Sequence, residues 1–192
     1  LAELQLIAFP ETDPEILFSA EDLVKHAEVF PEGTYVVLDG DKPVGMGAGI
    51  FVDFDFDNYQ HTLHEIAGET GTEGHDPDGA YYYGTDISVN PDYRRQGIGN
   101  KLYDLRKEVV RRYNKKGIVA GGVLPGYKNH KDAMTVEEYV DKVVAGELYD
   151  PTLSFQLRNG FVVRGILRDY FHDERSGSVA SLIYWENPDY QE

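Results

Sequence analysis

At 192 residues the chain falls in the range of one domain and is long enough to bury a core without covalent staples. It contains no cysteine, which excludes a disulfide framework, thiolate metal sites and a cysteine nucleophile, and predicts a reducing, cytoplasmic setting. A net charge of −16 argues against nucleic acid and membrane surfaces as partners, because a field of that sign repels polyanions; it suits cationic acceptors such as amines.

The charge is uneven. Residues 94–116 carry nine of the eighteen Lys and Arg side chains against two acidic ones, Asp104 and Glu108, so that segment is about +7 and the rest about −23. A basic island in an acidic chain points to a small polyanionic ligand. No apolar run approaches the roughly 18 residues of a membrane span, and the first residues lack the basic-then-apolar layout of a secretory leader.

In chain order, residues 4–9 read as a strand, with Pro10 and Pro14 breaking the segment after it. Ser19 opens a helix over residues 21–30, with Asp22 completing an approximate capping box, and residues 31–33 close it. Strands at 34–38 and 43–51 flank Asp39-Gly40-Asp41-Lys42, whose Asp-Gly step is a strong hairpin signal. Gly45, Gly47 and Gly49 alternate inside the second strand and are expected to face a close neighbour. Val52, Phe54 and Phe56 alternate with aspartates, as in a strand with one wet face. A calcium loop there is excluded, because its twelfth position would be His64 where a bidentate Glu is needed.

Residues 57–79 are polar and Gly-rich, a loop or partly helical insertion. Residues 80–89 form a strand and 97–114 a helix with the apolar stripe Ile98, Leu102, Leu105, Val109 and Tyr113. A buried strand comes next at 118–124, then a second insertion at 125–150 in which Thr135 and Glu138 cap a helix. A short helix at 152–158 stops at Asn159-Gly160, and strands at 161–168 and 178–186 are joined by a turn around Ser176-Gly177. This order predicts one mixed α/β domain spanning residues 1–192.

The chemistry concentrates between the strand ending at Val89 and the helix after it, in Asn90-Pro-Asp-Tyr-Arg94-Arg-Gln-Gly97-Ile-Gly99. Pro91 ends the strand by removing a ladder donor. Two glycines let a ligand approach the backbone with no Cβ in the way. The first-turn N–H groups lack intrahelical partners and form a ready anion site. Arg94, Arg95 and Lys101 add fixed positive charge, a combination that suits a pyrophosphate. Neither Gly-x-x-x-x-Gly-Lys-Ser/Thr nor a helix-opening Gly-x-Gly-x-x-Gly is present, which excludes the Walker and dinucleotide alternatives.

This stretch resembles motif A of the GNAT superfamily of N-acetyltransferases, Arg/Gln-x-x-Gly-x-Gly/Ala after an apolar strand, supported here by Ile87-Ser-Val89-Asn-Pro91 before it and Leu102 after it. Leu153-Ser-Phe155-Gln-Leu-Arg-Asn-Gly160-Phe161 resembles the family's short helix ending in Gly-Phe. The wider pattern from Pro125-Gly-Tyr to Phe161 resembles a subset sometimes joined to a carbon–nitrogen hydrolase domain. The resemblance implies an α/β (α+β) fold with a mixed, mostly antiparallel central sheet of about seven strands splayed in the middle, about four flanking helices and the two insertions. It implies an acyltransferase that moves an acetyl group from acetyl-coenzyme A to a primary amine of a small molecule or peptide, with no metal, and it allows for a homodimer.

By position, the resemblance gives Ile87 and Val89 backbone contacts to the pantetheine arm. Gln96, Gly97, Ile98, Gly99 and Asn100 would bind the pyrophosphate through main-chain N–H groups, with Arg94 and Arg95 near the phosphates. Phe155 and Gln156 would sit beside the thioester. The family often places at Gln156 a Tyr that protonates the departing thiolate, and an amide cannot act as that acid.

Amine acetylation needs a neutral nitrogen, so a base or an ordered water must take a proton. Asp86 is the first candidate, a carboxylate on the strand that should bear the thioester; a hydrogen bond to a neighbouring loop is its alternative use. Strict alternation turns it away from Ile87 and Val89, so a bulge would be needed to aim it at the acceptor. Tyr83 stands where some relatives carry a glutamate base, although it reads first as a half-buried strand aromatic. Tyr127, His130 and His172 lie in loops that could roof the pocket. His61-x-x-His64 with Glu65 has a metal-like spacing, yet no metal is expected. A second function class stays open, a catalytically weak coenzyme A-binding regulatory or sensor module, separated from the enzyme by whether amines release coenzyme A.

Overall fold

A computed structural model describes residues 1–10, 12, 17–172 and 177–192. Pro14 and Ser176, assigned above to a break and a turn, lie outside the described residues.

Local rules build the elements. Ser19 Oγ accepts from the Asp22 N–H and the Asp22 carboxylate accepts from the Ser19 N–H, closing a capping box on helix α2 (Ala20–Val29). The hairpin forms as expected: strand β1 (Tyr35–Asp39) turns into β2 (Lys42–Val52) through Gly40, which takes a φ of +59°. Short helix α3 (Leu63–Ala67) lies in the first insertion. Strand β3 (Tyr81–Val89), helix α4 (Ile98–Arg112) and strand β4 (Gly117–Val123) come next. Thr135 and Glu138 cap α5 (Val136–Val144) as predicted. Helix α6 (Leu153–Arg158) ends at Gly160, whose φ of +85° marks a left-handed cap, before strands β5 (Val162–Leu167) and β6 (Ala180–Glu186).

The first element corrects the sequence expectation. Residues expected to be a strand form helix α1 (Ala2–Ala8) instead. Leu4, Gln5 and Ala8 are buried, a helical i, i+1, i+4 set, while Leu6 and Ile7 are 46% and 49% exposed. A short apolar run of good helix formers does not declare its period. The buried Gln5 amide brackets Phe18, donating to its carbonyl and accepting from its N–H. The sheet therefore has six strands among the described residues rather than about seven, with six α-helices around it. A smaller correction concerns residues 53–57, which are not paired as a strand. The β2–β3 ladder ends at Val52↔Tyr81, so Phe54 and Phe56 still alternate inward without a partner strand.

The sheet order is β1-β2-β3-β4-β6-β5, and only β3 and β4 run parallel. One face packs Phe51, Tyr82, Ile118 and Ile183 beneath α4, α5 and α6. The other carries Ile50, Val52, Tyr83, Val119 and Leu182, covered partly by Tyr170 and the first insertion; α1 and α2 add Leu4 and Leu23 against Met46. Helix α4 buries Leu102, Tyr103, Arg106, Val109 and Val110, a face rotated from the predicted stripe, with Tyr113 outside it. Gly45 and Gly47 face this helix: a Cβ at Gly45 would stand 2.8 Å from Ile98 Cγ2, and one at Gly47 would touch Leu102 and Arg106. Gly49 faces the ring of Tyr82.

Candidate coenzyme and acyl-transfer site

Two irregularities of β3 define the site. The register jumps from Ala48↔Asp86 to Gly49↔Gly84, leaving Thr85 as an extra residue. Such a bulge shifts the side-chain alternation by one. Asp86 therefore shares the face of Tyr83, whereas strict alternation would have placed them on opposite faces. Ile87 and Val89 oppose Gly47 and Gly45 on the α4 face. The second irregularity is the short parallel ladder: β3 pairs with β4 only from Tyr81↔Gly117 to Tyr83↔Val119. Beyond that point the strands part, and Ile87 and Val89 lie along the open stretch.

Arg106 fixes the bulge. Its guanidinium reaches from α4 through the gap left by Gly84 and donates to the carbonyls of Ala48 and Asp86. Its charge meets no carboxylate in these bonds, and Nε has no hydrogen-bond partner among the described residues. The rings of Tyr82 and Tyr103 each lie 5.7 Å from its centre.

The ligand-facing loop runs through a 3-10 turn (Pro91–Tyr93), held by Asn90 accepting from the Asp92 N–H. Arg95 and Gly97 take φ values of 63° and 86°, which aim the chain into α4 without a side-chain cap. The helix opens with a bond from the Lys101 N–H to Gly97 O at 3.0 Å, so the N–H groups of Ile98, Gly99 and Asn100 have no intrahelical acceptor. A Cβ on Gly97 would meet nothing within 4 Å, whereas one on Gly99 would stand 2.7 Å from Phe155 Cζ. Arg94 donates to Val89 O at 3.2 Å and Ala8 O at 2.9 Å, tying α1 to the end of β3, while Arg95, Gln96 and Lys101 are exposed at the helix start.

Helix α6 brings Phe155 against Gly99 and Tyr103, and buries Gln156 against Gly122 of β4. The Gln156 Oε1 has no hydrogen-bond partner among the described residues. Its amide instead hydrogen-bonds the Tyr103 phenol, which burial pushes above its ordinary value against the opposing Arg106 charge. On the opposite face the half-buried Asp86 carboxylate accepts from Ser88 Oγ at 3.0 and 3.2 Å. Burial raises it to about 6, opposed by the Ser88 bond and Arg106. The Tyr83 hydroxyl is held between His61 and Tyr170.

The structure sets Asp86, Tyr83, Ile87 and Val89 along β3, residues 94–100 at the turn into α4, and Phe155 and Gln156 on α6 against Gly99 and Gly122. Sequence reasoning missed Arg106, Tyr103, Tyr170 and the use of His61. Tyr127 and His130 pack on Tyr139 within the second insertion. His61 and His64 do not form a metal pair, and among the described residues no group of three or more His, Cys, Asp or Glu side chains could hold a metal ion. Nor is any described helix long and apolar enough to cross a membrane.

A parallel pair that splays beside a glycine-opened helix is the architecture of the acetyltransferase (GNAT) family, whose family model matches residues 1–128; the chain belongs to that family. It is similar to two proteins of Bacillus subtilis (strain 168). The uncharacterized N-acetyltransferase YkwB is 32% identical over 192 residues, covering 100% of this chain and 85% of YkwB. The probable hydrolase YhcX is 37% identical over 191 residues, covering 99% of this chain, and the chain spans 37% of the length of YhcX. The fold is also that of the GphF GNAT-like decarboxylase solved in complex with isobutyryl-CoA, with a TM-score of 0.83 at 22% identity over 97% of this chain and 92% of that one.

Proposed function

We propose that this chain, as a single acetyltransferase domain, transfers an acetyl group from acetyl-coenzyme A to a primary amine of a small molecule or peptide, by direct attack in a ternary complex. The observation that carries it is the parting of β3 from β4 after Tyr83↔Val119, beside an α4 start with open N–H groups. The pantetheine arm would run along Ile87 and Val89, and the pyrophosphate would sit on the N–H groups of Gln96, Gly97, Ile98, Gly99 and Asn100. Arg95 supplies charge at this helix start, and Arg94 acts by holding the loop against α1 and β3. Phe155 and Gln156 would flank the thioester. With no cysteine in the chain, a thiol acyl-enzyme has no nucleophile. Asp86 and Tyr83 share the face from which an amine would attack.

The test is calorimetric titration with acetyl-coenzyme A of the wild type and a Gly97→Trp/Gly99→Trp variant, followed by coenzyme A release with amines. Micromolar binding abolished by the bulky residues supports the coenzyme site; absence of wild-type binding withdraws it. One observation favours a weakly catalytic coenzyme-binding module instead, namely the amide of Gln156 where an acid is expected. Binding without amine-dependent release would select that alternative.

A further inference from the structure

Where β3 and β4 part, two phenols and an imidazole form one hydrogen-bonded line on the face opposite α4. Tyr170 lays its ring on Gly121, whose missing side chain makes the room: a Cβ there would stand 2.3 Å from the ring's Cζ. Gly121 lies two residues beyond Val119, the last β4 residue paired with β3. The hydroxyl end of Tyr170 therefore sits over the opening of the splay. It is 2.9 Å from the Tyr83 hydroxyl, which is 2.8 Å from His61 Nε2. Tyr83 and Tyr170 are 0% and 4% exposed, whereas His61 is only half-buried and reaches solvent.

The polarity of this line is set by its last bond. His61 Nδ1 lies 2.6 Å from the Tyr59 carbonyl, which can only accept. Nδ1 therefore carries the hydrogen of the neutral ring, and Nε2 presents a lone pair. Tyr83 must donate to Nε2, which leaves its oxygen to accept from Tyr170. Burial holds the imidazole below its ordinary value and both phenols above theirs, so near neutral pH the line rests with two intact phenols and a free imidazole lone pair. The segment that delivers His61 is bolted down: Gln60 donates to Ile166 O at 2.7 Å and accepts from the Arg168 N–H at 3.1 Å, and the Leu63 N–H donates to Tyr170 O at 2.9 Å. The titratable groups facing the imidazole are Tyr83 and Tyr170 from the sheet side and, on its own segment, Glu65, whose charge favours the imidazolium. Phe54 adds an apolar ring edge.

We propose that Tyr170, Tyr83 and His61 are a relay that carries the acceptor's proton from the splay to solvent, with Tyr170 meeting the acceptor; this rests on the amine acetyl-transfer function above. As the acceptor nitrogen bonds to the thioester carbon, its proton passes to the Tyr170 oxygen. The Tyr170 proton moves to Tyr83, and the Tyr83 proton to His61 Nε2. The C–S bond breaks to leave the coenzyme thiolate, and the half-buried imidazolium gives the Nε2 proton to water once the ring turns away from Tyr83, which resets the line. Neither buried phenol is ever ionised, which is what its environment demands. His61 acts through the phenols and never touches the acceptor.

Coenzyme A release from acetyl-coenzyme A is to be followed from roughly pH 5 to 9, with water always present as an acceptor and spermidine or a short peptide's α-amine added, for the wild type, His61→Gln, Tyr83→Phe and Tyr170→Phe. Each variant is expected to lose about 100-fold in kcat, the usual scale of general-base assistance, with acetyl-coenzyme A affinity by calorimetry kept within about twofold. Acid protonates the amine itself and slows every variant; with the rate divided by the free-amine fraction, the wild type still falls as acid protonates His61, and that remaining limb disappears in His61→Gln. Free imidazole restores turnover to His61→Gly, which a purely structural histidine would not allow. An acidic limb that survives in His61→Gln after division by the free-amine fraction, or one removed by Asp86→Asn instead, overturns the relay and leaves acetyl transfer standing. Full binding with no release at any pH overturns the relay and the amine function together. Absence of binding removes the coenzyme site itself.

Discussion

Asp150 offers the sharpest test of how the second insertion supports the site. It is 0% exposed, and its two oxygens accept four hydrogen bonds. Oδ1 takes the N–H groups of Thr152 and Leu153, and Oδ2 takes the Gly126 N–H and the Tyr139 hydroxyl, all at 2.9 Å. One carboxylate thus ties the turn after β4, helix α5 and the first turn of α6. Asp150→Asn keeps the shape but replaces one oxygen by an NH2 group. Facing Thr152 and Leu153, that group leaves two main-chain donors unpaired; facing the other side it leaves the Gly126 N–H unpaired, while the Tyr139 hydroxyl can rotate away. The amide takes the second orientation, which orphans one donor, so at about 1–3 kcal/mol for an orphaned buried donor the expected loss is about 1–3 kcal/mol. For a chain of this length that is a fall in Tm of roughly 2–12 °C. Tyr139→Phe removes one bond of the four and should cost about 1 kcal/mol, and Asp150→Ala should exceed both. Urea unfolding followed by Trp185 fluorescence and circular dichroism measures the order. Because α6 carries Phe155 and Gln156, acetyl-coenzyme A affinity should fall along the same series. An Asp150→Asn protein within about 1 kcal/mol of the wild type would refute the assignment of Asp150 as the tie between these elements.

Other outcomes concern the splay. Burial raises the Asp86 carboxyl to about 6 from 3.8, so its contribution to stability is complete below about pH 4 and is lost as the pH rises through 6. Asp86→Asn should flatten stability across that window and gain about 2 kcal/mol at pH 7, allowing for partial exposure; a variant less stable than the wild type at pH 7 refutes this. Arg106→Met leaves the Ala48 and Asp86 carbonyls without their donor but also removes a buried charge. The net loss is expected at about 1–3 kcal/mol, with the Asp86 midpoint moving upward on carboxyl NMR titration. Gly99→Ala would set a methyl 2.7 Å from Phe155 Cζ; calorimetry should show weakened coenzyme binding with little change in urea midpoint.

Local chemistry made much of this legible. Ser19 with Asp22, Thr135 with Glu138, the Asp39-Gly40 turn and the Gly97-x-Gly99 helix start each act within a few residues, so sequence spacing alone identifies them. The failures need tertiary information. Helix α1 is ambiguous in sequence because Leu4 to Ala8 fits either period until Met46 and the Phe18 loop decide which residues are buried. Arg106 falls in a charged helix, and nothing local says that it plugs a bulge 20 residues upstream. That bulge depends on how β2 and β3 pair. Tyr83 and Tyr170 are 87 residues apart, and their contact exists only because β4 and β6 close the sheet between them.

The bulge also decides which chemistry stands on which side of the splay. With Thr85 inserted, Tyr83 and Asp86 share one face while Tyr82, Ile87 and Val89 share the other. The first face presents a carboxylate and a phenol–imidazole line, groups that can take up a proton. The second presents the Gln156 amide, the Tyr103 phenol and the guanidinium of Arg106, groups that donate or carry positive charge. Direct attack by an amine sheds a proton on the side it enters and builds negative charge on the sulfur that leaves. A sheet with acceptors on one face and donors on the other separates those two charges. Under the amine transfer proposed above, electrostatic stabilisation would take the part of the missing acid at Gln156, because a thiolate set against fixed donors and a buried cation would depart without being protonated first.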